Sequence, residues 1–391
     1  MIVGKDTKIG DVGLFFPLES QIGEKFAIAN DLIRRKDENG KNAGGMFDQN
    51  RRVRAQTFRG ERSEGFWIPI DSLTKLFPDW DEVLKEGQEI DTLRGEQIAT
   101  KYFPKTVKSA STNGNKKPKT SRIVPGQFAF HFDTPQLARN VDKIPPGGRF
   151  AITWKVHGTS AIAARVLVNR KLNLLERFLR AVGVKIKDTE YDYVYASRKV
   201  IKSEAGGNHF YKEDLWTRVG QEQFGGKLAT GETVYYEITG YTSDGKFIQQ
   251  GYDYGSAPGE YKIWVYRITR TAPDGTVTEL TFDQLVVRCD QLGVQPVKLA
   301  WLGGVYDFVD LTEYDTWRER FVEEVKKHWV HDQDCQFCTN KVPSEGVCVR
   351  IDHGLSVEIY KLKNFRFLER ETKQLDDGQT DIETEQSELG A

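Results

Sequence analysis

A chain of 391 residues has room for two domains with cores of their own, and its 29% charged and 38% hydrophobic residues exclude a wholly disordered or fibrous chain. The formal net charge of −1 excludes a global basic field, so any nucleic-acid partner must be met by locally grouped cations. The opening MIVGKDTKIGDVG lacks the apolar core of a signal peptide, no apolar run reaches bilayer length, and four cysteines do not suggest a disulfide framework, so a reducing, cytoplasmic compartment is expected.

In chain order, residues 1 to about 105 read as a small β-rich unit. Arg52 to Phe58 alternates polar and apolar residues and Gly65 to Ile70 is a second short apolar run, both fitting strands; Asp79 to Lys85 is a short helix candidate. Residues 101 to 122 carry seven Lys/Arg, among them Lys116, Lys117 and Lys119, and no acid, around a centre rich in Ser, Thr, Asn, Gly and Pro. This reads as a linker over residues 106–124, either merely solvated or a basic strap for phosphates. Residues 125–370 form a larger mixed unit. Its expected strands are Arg149 to Trp154, Tyr191 to Ala196, Thr233 to Ile238, Ile263 to Ile268, Gly346 to Ile351 and Val357 to Lys363. A helix is expected from about Glu313 to Lys327, opened by a T-x-x-D cap at Thr312 and Asp315 and buried along Trp317, Phe321 and Val325. Residues 371–391, with seven acids and one lysine, read as a flexible acidic tail or a loosely docked helix.

Three groups of residues carry chemistry. Lys155-Val156-His157-Gly158 follows a strand and offers an amine at a glycine turn. Glu237 lies inside the apolar strand YYEITG and Glu345 at the mouth of another, EGVCVR; a carboxylate there costs several kcal/mol unless it is paired or binds a metal. Lys361 and Lys363 share one face of VEIYKLK and repel unless an anion lies between them, for which a triphosphate is suited. A nucleophile, two acids for Mg²⁺ or Mn²⁺ and a lysine pair for phosphate together suit attack of a lysine nitrogen on an α-phosphate. The amine must be neutral, and Lys361, Lys363 and a metal are expected to lower its pKa. His328, His331, Cys335 and Cys338 form an H-x₂-H-x₃-C-x₂-C run with zinc-ligand types, but its tight spacing favours ordinary loop residues.

Taken in order, these elements resemble the covalent nucleotidyltransferase superfamily of RNA ligases, DNA ligases and capping enzymes. KVHG resembles the K-x-D/H-G nucleophile motif, Ser197-Arg198 the next element, YYEITG the third, WVYRI (Trp264 to Ile268) the base-stacking strand, EGVCVR the fourth motif and YKLKNF the fifth. The resemblance implies AMP carried covalently on Lys155. It further implies Glu237 on ribose or metal, Glu345 in the metal network, Lys361 and Lys363 on the α-phosphate, Arg198 on ribose or the polynucleotide end, and Tyr266 stacked on the purine. Trp154 and Gly158 flank the nucleophile and count among the nucleotide-binding positions. The nearer likeness is to ATP-dependent, nick-sealing RNA ligases with an amino-terminal OB-like module. Arg51, Arg52, Arg54, Arg59 and Arg62 in RRVR…RGERSEGF, and FHFDT before the catalytic domain, resemble that arrangement. The arginines are candidates for gripping phosphates or are an exposed strand face.

The chain departs from the pattern at His157, where many members have Asp, and at Trp154, where many have the adenine-reading Glu. The fold implied is α+β: an OB-like β-barrel over residues 1–105, then a nucleotidyltransferase domain of ATP-grasp-like antiparallel sheets with helices. The activity implied is joining of RNA 3′-OH and 5′-phosphate ends through lysyl-AMP and RNA-adenylate. RNA, as nicked duplex or structured RNA in repair, is the expected partner of a monomer with no membrane association. Alternatives are another covalent nucleotidyltransferase (a DNA ligase or capping guanylyltransferase) or a non-catalytic nucleic-acid-binding protein. Too few residues follow Lys363 for the further OB domain expected of a DNA ligase or capping enzyme.

Overall fold

A computed structural model describes residues 3–4, 6–82, 84–102, 122–202, 214–312 and 316–377. The chain divides into a smaller unit, Met1–Thr106 with Leu368–Thr380, and a larger one, Val107–Phe367 with Asp381–Ala391.

In the smaller unit the strands pair two by two. Gly13–Pro17 lies antiparallel to Gly65–Pro69, Ser20–Ile22 to Ala99–Lys101, and Gln56–Phe58 to Glu61–Ser63; among the described residues no barrel closes. Phe16, Ile22, Phe26, Leu73 and Ile98 form its core. The run read as a strand from Arg52 is extended only over Gln56–Phe58, because Arg52 turns inward. Its guanidinium is 1% exposed, bonded to Glu19 at 2.8 and 3.1 Å and to Asp376 at 3.3 Å, and lies 5.0 Å over the Tyr102 ring. Asp376 ends the helix Phe365–Asp376, so the first residues of the expected acidic tail are helical, and those from 378 on lie outside the described residues. The short helix expected at residues 79–85 is a single 3₁₀ turn, Trp80–Glu82.

The larger unit is mixed α/β. Its strands are β1 (Arg149–Trp154), β2 (Thr159–Asn169), β3 (Thr189–Ser197), β4 (Glu232–Gly240), β5 (Tyr261–Thr271), β6 (Val277–Glu279), β7 (Leu299–Gly303), β8 (Gly346–Asp352) and β9 (Val357–Lys363). Its helices are α1 (Leu174–Ala181), α2 (Leu215–Phe224), α3 (Phe282–Leu292), α4 (Trp317–Trp329) and α5 (Phe365–Asp376), the last continuing into the smaller unit. Two antiparallel sheets form, in the orders β3-β2-β4-β5-β6 and β7-β1-β8-β9. All six expected strands are present. The longest strand with β5, β2, was not expected from sequence, because TSAIAARVLVN is buried on both faces and shows no alternation.

Each sheet packs one face on helices. Val234, Tyr236, Ile238, Val265 and Ile268 meet Trp216, Val219 and Phe224 of α2 and Leu285 and Cys289 of α3. Phe150, Ile152, Val347, Val349 and Leu362 meet Trp317, Phe321 and Val325 of α4, the expected stripe. That helix starts after Thr316, which makes no side-chain cap; Asp315 of the expected cap lies outside the described residues. The cap of α3 is reciprocal: the Glu-like role falls to Gln284, which accepts from Thr281 N–H while Thr281 Oγ1 accepts from Gln284 N–H.

Burial makes Arg52 a structural residue. Arg52→Ala leaves Glu19 and Asp376 without their shared cation, and since each is about one-third exposed the loss is set below the fully buried case, at about 2 kcal/mol. Urea unfolding of the variant should show a lower midpoint with unchanged slope; an unchanged midpoint would contradict the assignment.

Candidate active site

The two sheets turn their helix-free faces to a common site, and strand alternation decides which side chains reach it. In β8, Val347, Val349 and Ile351 enter the α4-covered core, so Cys348 and Arg350 take the other face. In β9, Tyr360 and Leu362 enter the core and Lys361 and Lys363 stay out; pairing sets Cys348 opposite Lys361 and Gly346 opposite Lys363. In β4, Val234, Tyr236 and Ile238 fill the other core and Glu237 faces away from it. Lys155 follows β1 directly, and its N–H donates to Gly346 O at 2.9 Å, extending the β1–β8 ladder by one residue.

Two glycines permit this closeness. A Cβ on Gly158 would lie 2.2 Å from Ile238 O, and one on Gly346, whose φ is +126°, would lie 2.0 Å from Leu362 O. The positive φ at Gly346 also breaks the alternation, so Glu345 ends beside Lys155 rather than with Val347 in the core.

Lys155 Nζ lies 2.7 Å from Glu345 Oε1, Lys363 Nζ 3.8 Å from the same oxygen, and His157 Nδ1 3.9 Å from Oε2. Glu345 is 5% exposed. Burial would raise its pKa, but Lys155, Lys363 and His157 hold it down to about 2. Burial pushes Glu237 up to about 8, with Glu345 adding to the shift and Lys155 and Arg198 opposing it. Burial lowers Lys361 to about 8, helped by Lys363 and Lys155. Lys155 departs from the expectation. Burial favours its neutral form, yet the Glu345 carboxylate, helped by Cys348 and Glu237, outweighs burial, and its pKa is raised. With Glu345 free to pair with it, the amine is stored as an ammonium.

The residues fit a divalent cation. Glu345 Oε2 is buried and makes no hydrogen bond, and Glu237 is a second carboxyl coupled to the same lysine. Among the described residues no group of three or more His, Cys, Asp or Glu is gathered for a metal, so two carboxylates would leave the remaining ligand positions to phosphate and water, the usual arrangement for Mg²⁺.

Around this centre, the Tyr266 hydroxyl and Ser160 Oγ lie 3.0 Å apart, and the His131 ring meets the Tyr266 ring edgewise at 5.0 Å. Burial, with Arg267, Arg198 and Lys155, drives the His131 pKa down to about 3, so this imidazole is neutral. Arg198 is ion-paired with Asp133. Cys348 and His131 were not foreseen. The cross-strand place of Cys348 beside Lys361 could have been found from the register, whereas His131, in the FHFDT lead-in, reaches the site only by tertiary folding. Trp154 lies on the core side of β1 with Phe150 and Ile152, at the margin of the α4-covered core and 6.1 Å from the Phe337 ring, away from the face that carries Lys361.

The expected nucleic-acid residues divide. Arg52 is withdrawn by its buried ion pairs, a correction that follows from the cost of an unpaired internal charge. Arg51 donates to Ile22 O, and Arg54 is paired with Asp48 and Asp376. Arg59 and Arg62 are exposed on the Gln56–Phe58/Glu61–Ser63 hairpin, where Arg59 lies 5.3 Å over the exposed Phe58 ring. Lys116, Lys117 and Lys119 lie outside the described residues. His328 bonds through Nδ1 to Glu324 O at 2.8 Å, on the last turn of α4.

No family model and no curated protein matches this chain. Its fold is similar to that of solved structures of the Naegleria gruberi RNA ligase. An apo point mutant of that ligase gives a TM-score of 0.53 at 16% identity, covering 94% of this chain and 89% of that one. A mutant with AMP and Mn gives 0.53 at 15% identity over 94% and 89%, and a structure with PPi 0.52 at 16% over 95% and 90%. The chain thus has the fold of that ligase over nearly its whole length.

The raised pKa of Glu237 carries a sign. A carboxyl at about 8 when folded and near 4.5 when unfolded binds more protons in the folded state between those values. Its contribution to stability is therefore full below about pH 4.5 and is lost as pH rises through about 8. Glu237→Gln, which stays neutral, should be more stable than the unsubstituted protein at pH 8 without metal or nucleotide, with the gap closing toward pH 4.5. Thermal melts across that range test this; a gap that widens on acidification would contradict it.

Proposed function

We propose that this chain is an ATP-dependent RNA ligase that carries AMP on Lys155. The observation that carries the reading is the convergence of Lys155, Glu345, Glu237, Lys361 and Lys363, from four separate strands or strand ends, on one site between two sheets. The Naegleria ligase, which has been solved with AMP and Mn, supports the same reading through its fold.

In the proposed reaction Lys155 Nζ attacks the α-phosphorus of ATP, the bond to the bridging oxygen breaks and pyrophosphate leaves. The AMP then passes to an RNA 5′-phosphate, and a 3′-hydroxyl attacks that phosphorus and expels AMP. Lys361 and Lys363 offset charge on the α-phosphate, and the lowered pKa of Lys361 marks a place that gains from an anion. A Mg²⁺ or Mn²⁺ ion held by Glu345 and Glu237 would supply positive charge against the phosphates and compete with Lys155 for the Glu345 carboxylate. Losing that pairing, Lys155 would be left with burial, which favours the neutral amine, opposed by Cys348 and Glu237. Tyr266, and Arg198 once released from Asp133, are assigned to base and ribose. Trp154 shapes the site from behind rather than reading the base.

The amino-terminal unit is proposed to be an OB-like module that engages RNA through Arg59, Arg62 and the basic residues Lys116, Lys117 and Lys119. A monomer acting on nicked or structured RNA in a reducing cytoplasm suits the cysteine usage and the local basic groups.

Two outcomes test the reading. Lys155→Ala and Lys155→Arg should both lose covalent labelling by α-phosphate-labelled ATP while staying folded by circular dichroism, the first because the amine is gone and the second because a guanidinium stays protonated. Retained labelling in either would place the nucleophile elsewhere. In the second, Arg59→Ala with Arg62→Ala should keep adenylylation and lose about tenfold in RNA sealing, with a shallower salt dependence of sealing. An unchanged ratio of sealing to adenylylation at two salt concentrations would make these arginines a solvated strand face.

A further inference from the structure

The Cys335-Gln336-Phe337-Cys338 loop takes no part in the reaction described above, and nothing in it gathers a metal among the described residues. Cys335, Phe337 and Cys338 pack together against a cluster that includes Tyr254 and Trp264, whereas Cys289 lies buried in the α2/α3 core and Cys348 in the active site. Both ends of the loop are clamped. Cys335 N–H donates to Val342 O at 2.8 Å, and Asp253, 4% exposed, accepts from Thr339 N–H at 2.8 Å and Asn340 N–H at 2.9 Å. Drawing two thiols three residues apart to bonding distance tightens the clamped loop that carries Phe337.

The residue between them faces the catalytic segment. The Phe337 ring packs at 6.1 Å on Trp154, the residue before Lys155, and at 5.8 Å on Trp264. Trp264 in turn packs at 6.1 Å on Tyr254, whose hydroxyl accepts from His157 N–H at 2.6 Å. The nucleophile segment 154–157 is therefore held at both ends by groups that rest on this loop.

We propose that Cys335 and Cys338 are a disulfide-forming modification site, oxidised by a low-molecular-weight disulfide, and that the bond displaces Phe337 and slows adenylylation at Lys155. The Cys335 thiolate attacks one sulfur of the small disulfide, forming a mixed disulfide and releasing one small thiolate. Cys338 then loses its proton and attacks the Cys335 sulfur, closing the protein disulfide and releasing the second thiolate. The protein gives up two electrons and two protons, and the small disulfide is reduced to two thiols. The Cys338 thiol donates to Cys335 and keeps it below the ordinary thiol range, which favours Cys335 as the attacking group. Burial holds Cys348 up at about 11 and Cys289 at about 12, so both serve as internal controls.

The effect on adenylylation rests on the function proposed above; disulfide formation does not. The test treats the full chain with oxidised glutathione and follows intact mass, peptide mapping and labelling by ATP. The expected product has a Cys335–Cys338 cross-link with Cys289 and Cys348 still free, and its adenylylation rate falls severalfold and returns on reduction. Cys338→Ser should stop at a glutathione adduct on Cys335, and Cys335→Ser should label with ATP at an unchanged rate with or without glutathione disulfide, both variants melting like the parent. Four thiols that stay free would overturn the site, and a mapped cross-link with unchanged adenylylation would overturn its effect. Absence of labelling in the fully reduced parent would count against the ligase reading alone, and the mass map would still decide the dithiol.

Discussion

The larger unit is organised around a contact between a buried carboxylate and a lysine, which the proposed reaction requires to be parted. Lys155 and Glu345 meet at 2.7 Å because β1 and β8 are paired and the ladder runs one residue past β1. A carboxylate as enclosed as Glu345 is tolerable only with cations near it, and Lys155, Lys363 and His157 supply them. The same contact keeps the lysine protonated in the ligand-free site. In the proposed reaction, a ligand that competes for Glu345 would shift the lysine toward its neutral form.

One side-chain period, the alternation along strands, and two glycines are enough to build this arrangement. Alternation along β4, β8 and β9 sends one set of residues into helix-covered cores and the other to the site, so packing and chemistry are carried by alternate positions of the same strands. Gly158 and Gly346 are the points where the backbone must come closer, or turn more sharply, than a side chain permits. Changes in the cores would therefore reach the site as small shifts of whole strands, while changes at these glycines would move single side chains of the site.

Much of this was legible from the sequence where a residue's neighbours in sequence fix its face. The six strands, the α4 stripe of Trp317, Phe321 and Val325, and the shared face of Lys361 and Lys363 follow from period and need no tertiary knowledge. What was not legible depended on partners far along the chain. Arg52 looks like one of a row of surface arginines until Glu19 and Asp376 enclose it. The pKa of Lys155 depends on which neighbour is nearest; two lysines and an acid were all foreseen, but only the register shows that the acid wins. β2 was missed because burial on both faces removes the alternation by which a strand is recognised, and Trp154 was placed on the nucleotide by its position next to Lys155 although β1 turns it toward the core.

The central claim is that Lys155 is the atom that takes AMP. Incubating the protein with ATP and Mg²⁺ or Mn²⁺, digesting it under alkaline conditions that preserve a phosphoramidate, and locating the modified peptide by tandem mass spectrometry tests that claim most directly. The account predicts one AMP per chain, on Lys155 and released by pyrophosphate. AMP on another residue, or an unmodified Lys155 after full incubation with nucleotide and metal, would contradict it.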